Sequence, residues 1–266
     1  MTRRRFYAPA ETFDASATGA TVRLAPEESR HLRDVLRLRA GDEAYVFDGE
    51  GGEYLCVVVE SGGGGGGRGS GGGATLEVRE RVEPLRPESP LDLSLAVALL
   101  KGEKFDLVVQ KATELGATSI VPVVTRRADV RLRDERDEGK RTARWQRLAL
   151  EAAKQSGRAR VPVVHAPSSF ASVLTGADGR GVATLRLMFV ERDGRSLVET
   201  VGDLAGARPA SVAALVGPEG GWETEETSEA TEAGWKVVTL GGRTLRAETA
   251  AITVAALLQH LFGDLR

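Results

Sequence analysis

The chain has 266 residues, enough for one large domain or two modest ones with real cores. Apolar residues make up 41% and charged residues 28%, which excludes a collagen-like or membrane-spanning composition. The 36 bases nearly balance the 38 acids, so total charge gives no signal for DNA or an acidic membrane. A single cysteine, Cys56, rules out an intrachain disulfide and a multi-cysteine zinc site. His31, His165 and His260 stand far apart, and no metal is expected from them. Thr2 to Arg5 is basic but is not followed by the apolar stretch of an export signal, and no apolar run approaches a bilayer span. The expected location is therefore cytoplasmic, with no membrane partner.

The first eighty residues read mainly as strands. Arg3-Arg4-Arg5 and Phe6-Tyr7 open the chain. Pro26-Glu27-Glu28 then begins a helix whose apolar stripe is Leu32, Val35 and Leu36, with Arg30, His31, Arg33 and Arg37 around it. Residues 1–39 hold eight Arg against five acids, a local excess of +3. Basic residues interleaved with aromatics suit RNA, and a solvated helix face gives the same pattern. Strands follow at Glu43–Phe47, Glu53–Val59 and Ala74–Val82, the first two separated by Asp48-Gly49-Glu50-Gly51-Gly52. The Gly-rich insert 61–73 matches a dinucleotide fingerprint only trivially, because no helix pattern follows it. A flexible hairpin loop is the expectation.

Three prolines between Pro84 and Pro90 mark a boundary, giving domains 1–83 and 84–266. Beyond it strands and helices alternate, so an α/β domain with a mostly parallel sheet is expected. Strands are predicted at Leu93–Leu99, Ile120–Val124, Val161–Val164, Leu185–Val190, Val212–Val216 and Trp235–Leu240. A helix is predicted over Lys104–Leu115, burying Phe105, Val108, Val109, Ala112 and Leu115 and stopping at Gly116. A second helical stripe runs through Trp145, Leu148, Ala149 and Ala152 to Gly157. Thr224 is the expected cap of a helix beginning with Glu225 and Glu226. The last helix, Ala250–Phe262 after Glu248, is apolar nearly all round and is expected in the core or against a second subunit. His165 and Cys56 read as structural, and His260 as packed at a core or subunit boundary.

The last three strands end in Glu191-Arg192-Asp193-Gly194, Gly217-Pro218-Glu219-Gly220-Gly221 and Gly241-Gly242-Arg243. In open α/β sheets ligands sit beyond the carboxyl ends of strands, so three adjacent ends would make one site. A flavin, NAD or Rossmann-type methyltransferase would place its glycine loop early in the catalytic domain, and here the convincing loops come late.

Gly217-Pro218-Glu219-Gly220-Gly221-Trp222, with Leu240-Gly241 and Leu245-Arg246-Ala247-Glu248-Thr249-Ala250-Ala251, resembles the RsmE family of 16S ribosomal RNA (uracil-N3) methyltransferases in the SPOUT superfamily. Arg4-Arg5-Phe6-Tyr7, His31-Leu32, Gln110 to Gly116 and Glu151 to Ser156 extend the resemblance over nearly the whole chain. It implies a PUA-like, RNA-binding β-barrel followed by a trefoil-knotted methyltransferase domain, a homodimer, and S-adenosylmethionine (SAM) as donor. The substrate implied is 16S rRNA, in the assembled 30S subunit.

Carried over position by position, the cofactor would meet Val190, Glu191, Gly217, Pro218, Gly220, Gly221, Leu240, Gly241, Leu245, Arg246 and Thr249. The glycines would let backbone approach the cofactor closely. Arg246 is the expected stabiliser of charge on the uracil, with Glu219 and Glu248 as base or orienting groups. Glu248 has a second role open to it, as a first-turn carboxylate on the helix dipole. RNA would meet Arg4, Arg5, Arg30, His31, Arg37, Lys104, Lys111 and Arg126. The alternative reading is a catalytically inactive RNA-binding or ribosome-assembly module of the same fold.

Overall fold

The computed structural model describes residues 3–16, 19–62, 73–128, 130, 134–176 and 183–265. It divides into two compact units, one of residues 1–88 with 153–161, the other of 89–152 with 162–266.

The first unit is a mixed sheet. Its strands are β1 (Arg5–Tyr7), β2 (Phe13–Ser16), β3 (Gly19–Arg23), β4 (Glu43–Phe47), β5 (Glu53–Glu60) and β6 (Thr75–Val82), in the order β1-β4-β5-β6-β3-β2. β1 runs parallel to β4, and the other pairings are antiparallel. Alternation sends Ala44 and Val46 of β4 and Cys56 and Val58 of β5 into one core with Phe6, Val22, Leu24, Leu32 and Leu76. Burying side chains of this size contributes about 1.5–3 kcal/mol each. The Gly-rich insert joins β5 to β6, and its residues 63–72 lie outside the described residues.

Helix α1 (Pro26–Arg30) starts where expected, with Pro26 at its first positions. It then widens into a π-helical turn over His31–Val35, marked by the Leu36 amide bonding back to His31 O at 3.0 Å. A wider turn advances each residue less than the α-helical 100°. The expected stripe is therefore corrected: Leu32 is buried, Val35 is 63% exposed, and Leu38 enters the core in its place.

The second unit is built on parallel strands. β7 (Asp92–Ala98), α2 (Lys104–Glu114), β8 (Ser119–Val124) and α3 (Glu135–Ser156) come first, α3 giving its last turn to the first unit. Then come β9 (Val163–Val164), β10 (Ser168–Ser169), α4 (Phe170–Thr175), β11 (Leu185–Phe189), β12 (Arg195–Ser196) and α5 (Leu197–Gly202). β13 (Ser211–Val216), α6 (Thr224–Glu232), β14 (Lys236–Thr239) and α7 (Ala247–Phe262) complete the order. The sheet order is β10-β8-β7-β13-β11-β14-β12, with β9 beside β8, and the pairings are parallel. β7 and β13 are apolar and mostly buried along their length, as central strands covered on both faces must be.

α2 buries Phe105, Val108, Val109 and Ala112 as expected, while Leu115 is only half-buried and Thr113 is in the core. The helix ends at Gly116, whose φ of +84° suits glycine. Gln259 of α7 donates to Gly116 O at 3.1 Å and accepts from Ser89 Oγ at 2.6 Å, so a buried amide ties α7 to the end of α2. Among the described residues no helix is long and apolar enough to cross a membrane, and no cluster of His, Cys, Asp and Glu could hold a metal.

Candidate functional site

β13, β11 and β14 are neighbours, so their carboxyl ends lie side by side. The loops that follow, together with the first turns of α6 and α7, wall a cavity of about 590 Å³. That volume falls within the usual range for small-molecule sites. Val190, Glu191, Gly217, Pro218, Glu219, Gly220, Gly221, Leu240, Gly241 and Leu245 all line it. Arg246, Glu248 and Thr249 stand outside the lining, in the cap and first turn of α7.

Backbone bonds fix the loops. The Val190 amide donates to Val238 O at 2.9 Å, and the Gly221 amide to Pro218 O at 3.0 Å. Thr239 Oγ1 donates to Glu191 O at 3.3 Å and accepts from the Gly241 amide at 3.1 Å. Gly221 and Gly241 have φ of +69° and +70°, which favours glycine, and a Cβ at either would meet open space.

Gly217 has a different reason to be glycine. A Cβ there would lie 2.8 Å from Trp222 Nε1, and that indole N–H donates to Phe189 O at 2.8 Å. Gly217 therefore clears space for a strap from the β13 loop to the end of β11, in addition to lining the cavity. At Gly220 a Cβ would come within 3.2 Å of Arg127 Cβ, while Arg127 Nη1 donates to Gly220 O at 3.2 Å. Arg127 and Trp222 both line the cavity. Tryptophan directly after a glycine turn was the available sequence signal for the first; nothing in the local sequence marks the second.

α6 corrects its expected cap. Glu223, not Thr224, caps the helix, in a reciprocal box with Glu226, whose Oε2 accepts from the Glu223 amide at 3.0 Å. Glu226 is buried because its other oxygen accepts from the Arg126 amide at 3.1 Å. Arg126, expected on RNA, bonds Glu223 at 3.2 Å and Glu229 at 3.0 Å, and these carboxylates raise its pKa, the Glu223 bond most. Lys111 is likewise paired, with Glu114 at 2.8 Å.

Lys104, another expected RNA contact, stands among the candidate catalytic carboxylates. Its Nζ is 2.8 Å from Glu219 Oε1 and 4.0 Å from Glu248 Oε2. The hydrogen bond to Glu219 is the main cause of a raised Lys104 pKa, with the charges of Glu219 and Glu248 adding and that of Arg246 opposing. Glu248 Oε2 is buried and has no hydrogen-bond partner.

In the first unit, Arg4, Arg30, His31 and Arg37 are exposed, and the three arginines make no ion pair among the described residues. Arg5 differs. Its side chain is 6% exposed and bonds Glu53 at 3.2 Å and the carbonyl of Arg158 at 2.9 Å. Arg3 pairs with the same buried Glu53 at 3.1 Å. His165 is half-buried, and His260 is exposed on the single chain with Nδ1 3.1 Å from Leu265 O, which removes it from the core.

Residues 87–259 match the family model for an RNA methyltransferase domain, and residues 24–65 that for an RNA methyltransferase PUA domain. A ribosomal RNA small subunit methyltransferase E from Synechocystis is 34% identical over 98% of this chain and 78% of its own length. The crystal structure of one from Neisseria gonorrhoeae, bound to S-adenosyl methionine, is 32% identical with a TM-score of 0.79 over all of both chains. A Legionella pneumophila methyltransferase in complex with SAM is 29% identical with a TM-score of 0.80, again over all of both chains. The chain belongs to the ribosomal RNA small subunit methyltransferase E family, a PUA-like domain joined to a SAM-dependent RNA methyltransferase domain.

Proposed function

We infer that this protein transfers a methyl group from SAM to N3 of a uridine in 16S ribosomal RNA, within the assembled 30S subunit. The observation that carries this reading is the convergence of three strand-end loops on one cavity, in a chain whose similar structures bind SAM. Bound SAM supplies a methyl activated on a sulfonium, so that N3 gains the methyl and the sulfur keeps the electron pair.

The chain's task is then to hold, orient and deprotonate. Positioning the reactants alone can remove roughly 7–11 kcal/mol of barrier in the best cases. Backbone groups of Leu240, Gly241 and Leu245 would read the adenine edge, with the side chains of Val190, Leu240 and Leu245 as an apolar slot. Pro218, Gly220, Gly221 and Glu191 would close around the rest, with Thr249 at the start of α7. Glu219 takes the N3 proton. It is preferred to Glu248 because it lines the cavity, whereas Glu248 sits in the first turn of α7, where a carboxylate suits the helix dipole. Arg246 stabilises charge on the uracil carbonyls.

Residues 1–83 are assigned to RNA binding and 84–266 to catalysis, with 84–88 and 153–161 packing in the first unit. Arg4, Arg30, His31 and Arg37 of the first would meet RNA, with Lys111 and Arg126 of the second. Arg5 is committed to Glu53 and is assigned a structural part. The trefoil knot of SPOUT enzymes, a homodimer and a cytoplasmic location belong to the same reading. The half-exposed apolar stripe of Ile252, Ala256 and Leu257 on α7 supports the dimer. Calorimetry with SAM should give saturable one-site binding. Mass spectrometry of 16S rRNA from a deletion strain should show one methyluridine lost; its persistence would remove the assigned reaction.

A further inference from the structure

Three separate elements bring charge to one point beside the cavity. Lys104 begins α2, Glu219 lies in the loop after β13, and Glu248 lies in the first turn of α7. The lysine is 2.8 Å from the first carboxylate and 4.0 Å from the second. Both carboxylates bring negative charge towards the same point, and the ammonium of Lys104 stands with them. Glu248 Oε2 is buried without a hydrogen bond, so its charge is poorly screened by water.

We propose that Lys104 is a positioning residue for methyl transfer: its ammonium keeps Glu219 ionised and aimed into the cavity, and offsets the charge of Glu248 behind it. The proposal rests on the reading of Glu219 as the N3 base. The proton moves from uridine N3 to Glu219 and then to solvent, and Lys104 stays protonated throughout. Its raised pKa agrees with that, since an ammonium hydrogen-bonded to one carboxylate and near another does not surrender its proton at neutral pH.

Other charges face this point. Arg246, at the cap of α7, acts against the lysine's protonation. Arg127, Glu191, Arg192, Asp193, Glu223 and Arg243 line the same cavity from the loops after β8, β11, β13 and β14. Lys104 holds Glu219 in an ion pair at 2.8 Å, so its removal should change the behaviour of Glu219 directly.

The test uses full-length protein and two readouts. In the first, the Glu219 carboxyl of cofactor-free protein is titrated by carbon NMR, its resonance assigned by its loss in Glu219→Gln. The midpoint should move to higher pH by about one unit in Lys104→Met and stay within a few tenths in Lys104→Arg. In the second, methyl transfer to 30S subunits from a strain lacking the modification is followed against pH. The acidic limb should move by the same amount in Lys104→Met, while SAM affinity by calorimetry changes by less than threefold. Lys104→Gln, which keeps length and a donor but no charge, should behave like the methionine variant. An unmoved midpoint and limb in both neutral variants would overturn the role of Lys104. A Glu219→Gln enzyme with the full wild-type rate would instead overturn Glu219 as the base.

Discussion

Arg246 is exposed, and its backbone carbonyl, which accepts the Ala250 amide at 2.8 Å, supports α7 whatever the side chain. Arg246→Ala should therefore lower methyl transfer at least a hundredfold while changing unfolding free energy by less than about 0.5 kcal/mol. Parallel kinetic and denaturation measurements on the variant check both halves, and unchanged activity would remove Arg246 from the mechanism. Cys56 gives a prediction of opposite kind. Burial pushes its thiol up to about 12. The folded protein should resist alkylation at mildly alkaline pH, and urea-unfolded protein should add one label by mass. Because the unfolded chain releases this proton first, the thiol's contribution to stability should fade as pH rises between about 9 and 12. At this scale the sequence was informative about residue type and weaker on reason. Gly217 reads as a close approach to a ligand, and the indole of Trp222 also stands where its Cβ would be, a contact between positions whose packing no local pattern specifies.

α6 and the turn after β8 depend on one buried carboxylate. Glu226 accepts from the amides of Glu223 and Arg126, so Glu226→Ala leaves two donors without partners. The expected cost is about 1–3 kcal/mol, seen as a lower denaturation midpoint with an unchanged slope. Gly116 ties α2 to α7, and its Cβ would lie 2.8 Å from Gln259 Nε2 at a φ of +84°. Gly116→Ala should destabilise by about 1–3 kcal/mol, whereas alanine at Gly139, where a Cβ meets nothing and the backbone is helical, should not. Long periodic elements were legible: α2 begins and ends within a residue of its pattern, and β4 matches its predicted span. β1, β2 and β3 were not. They have three to five residues, too few for a period of two to show, and β1 is obscured by Arg5 and the two arginines before it. The π-helical turn was equally hidden, because the 3.6-residue period assumes the winding that this turn abandons.

Strand order decided the site. The sequence showed three loops after three strands, but not that β13, β11 and β14 are neighbours, since β12, α5 and over twenty residues intervene between β11 and β13. That adjacency turns three turns into one cavity, and it arises from crossovers that local propensity does not encode. The same limit applies to Lys104, which lies 115 residues from Glu219 in sequence. On α7, Ile252, Ala256 and Leu257 remain half-exposed while the opposite face is buried. Sedimentation should find a dimer, and Leu257→Arg should shift it towards monomer without unfolding it. The decisive measurement is incubation of the purified protein with methyl-labelled SAM and 30S subunits from a strain lacking the modification, followed by nucleoside mass spectrometry. Label in 3-methyluridine of 16S RNA, at one position, is the predicted result. No incorporation, or label in any other nucleoside, would contradict it.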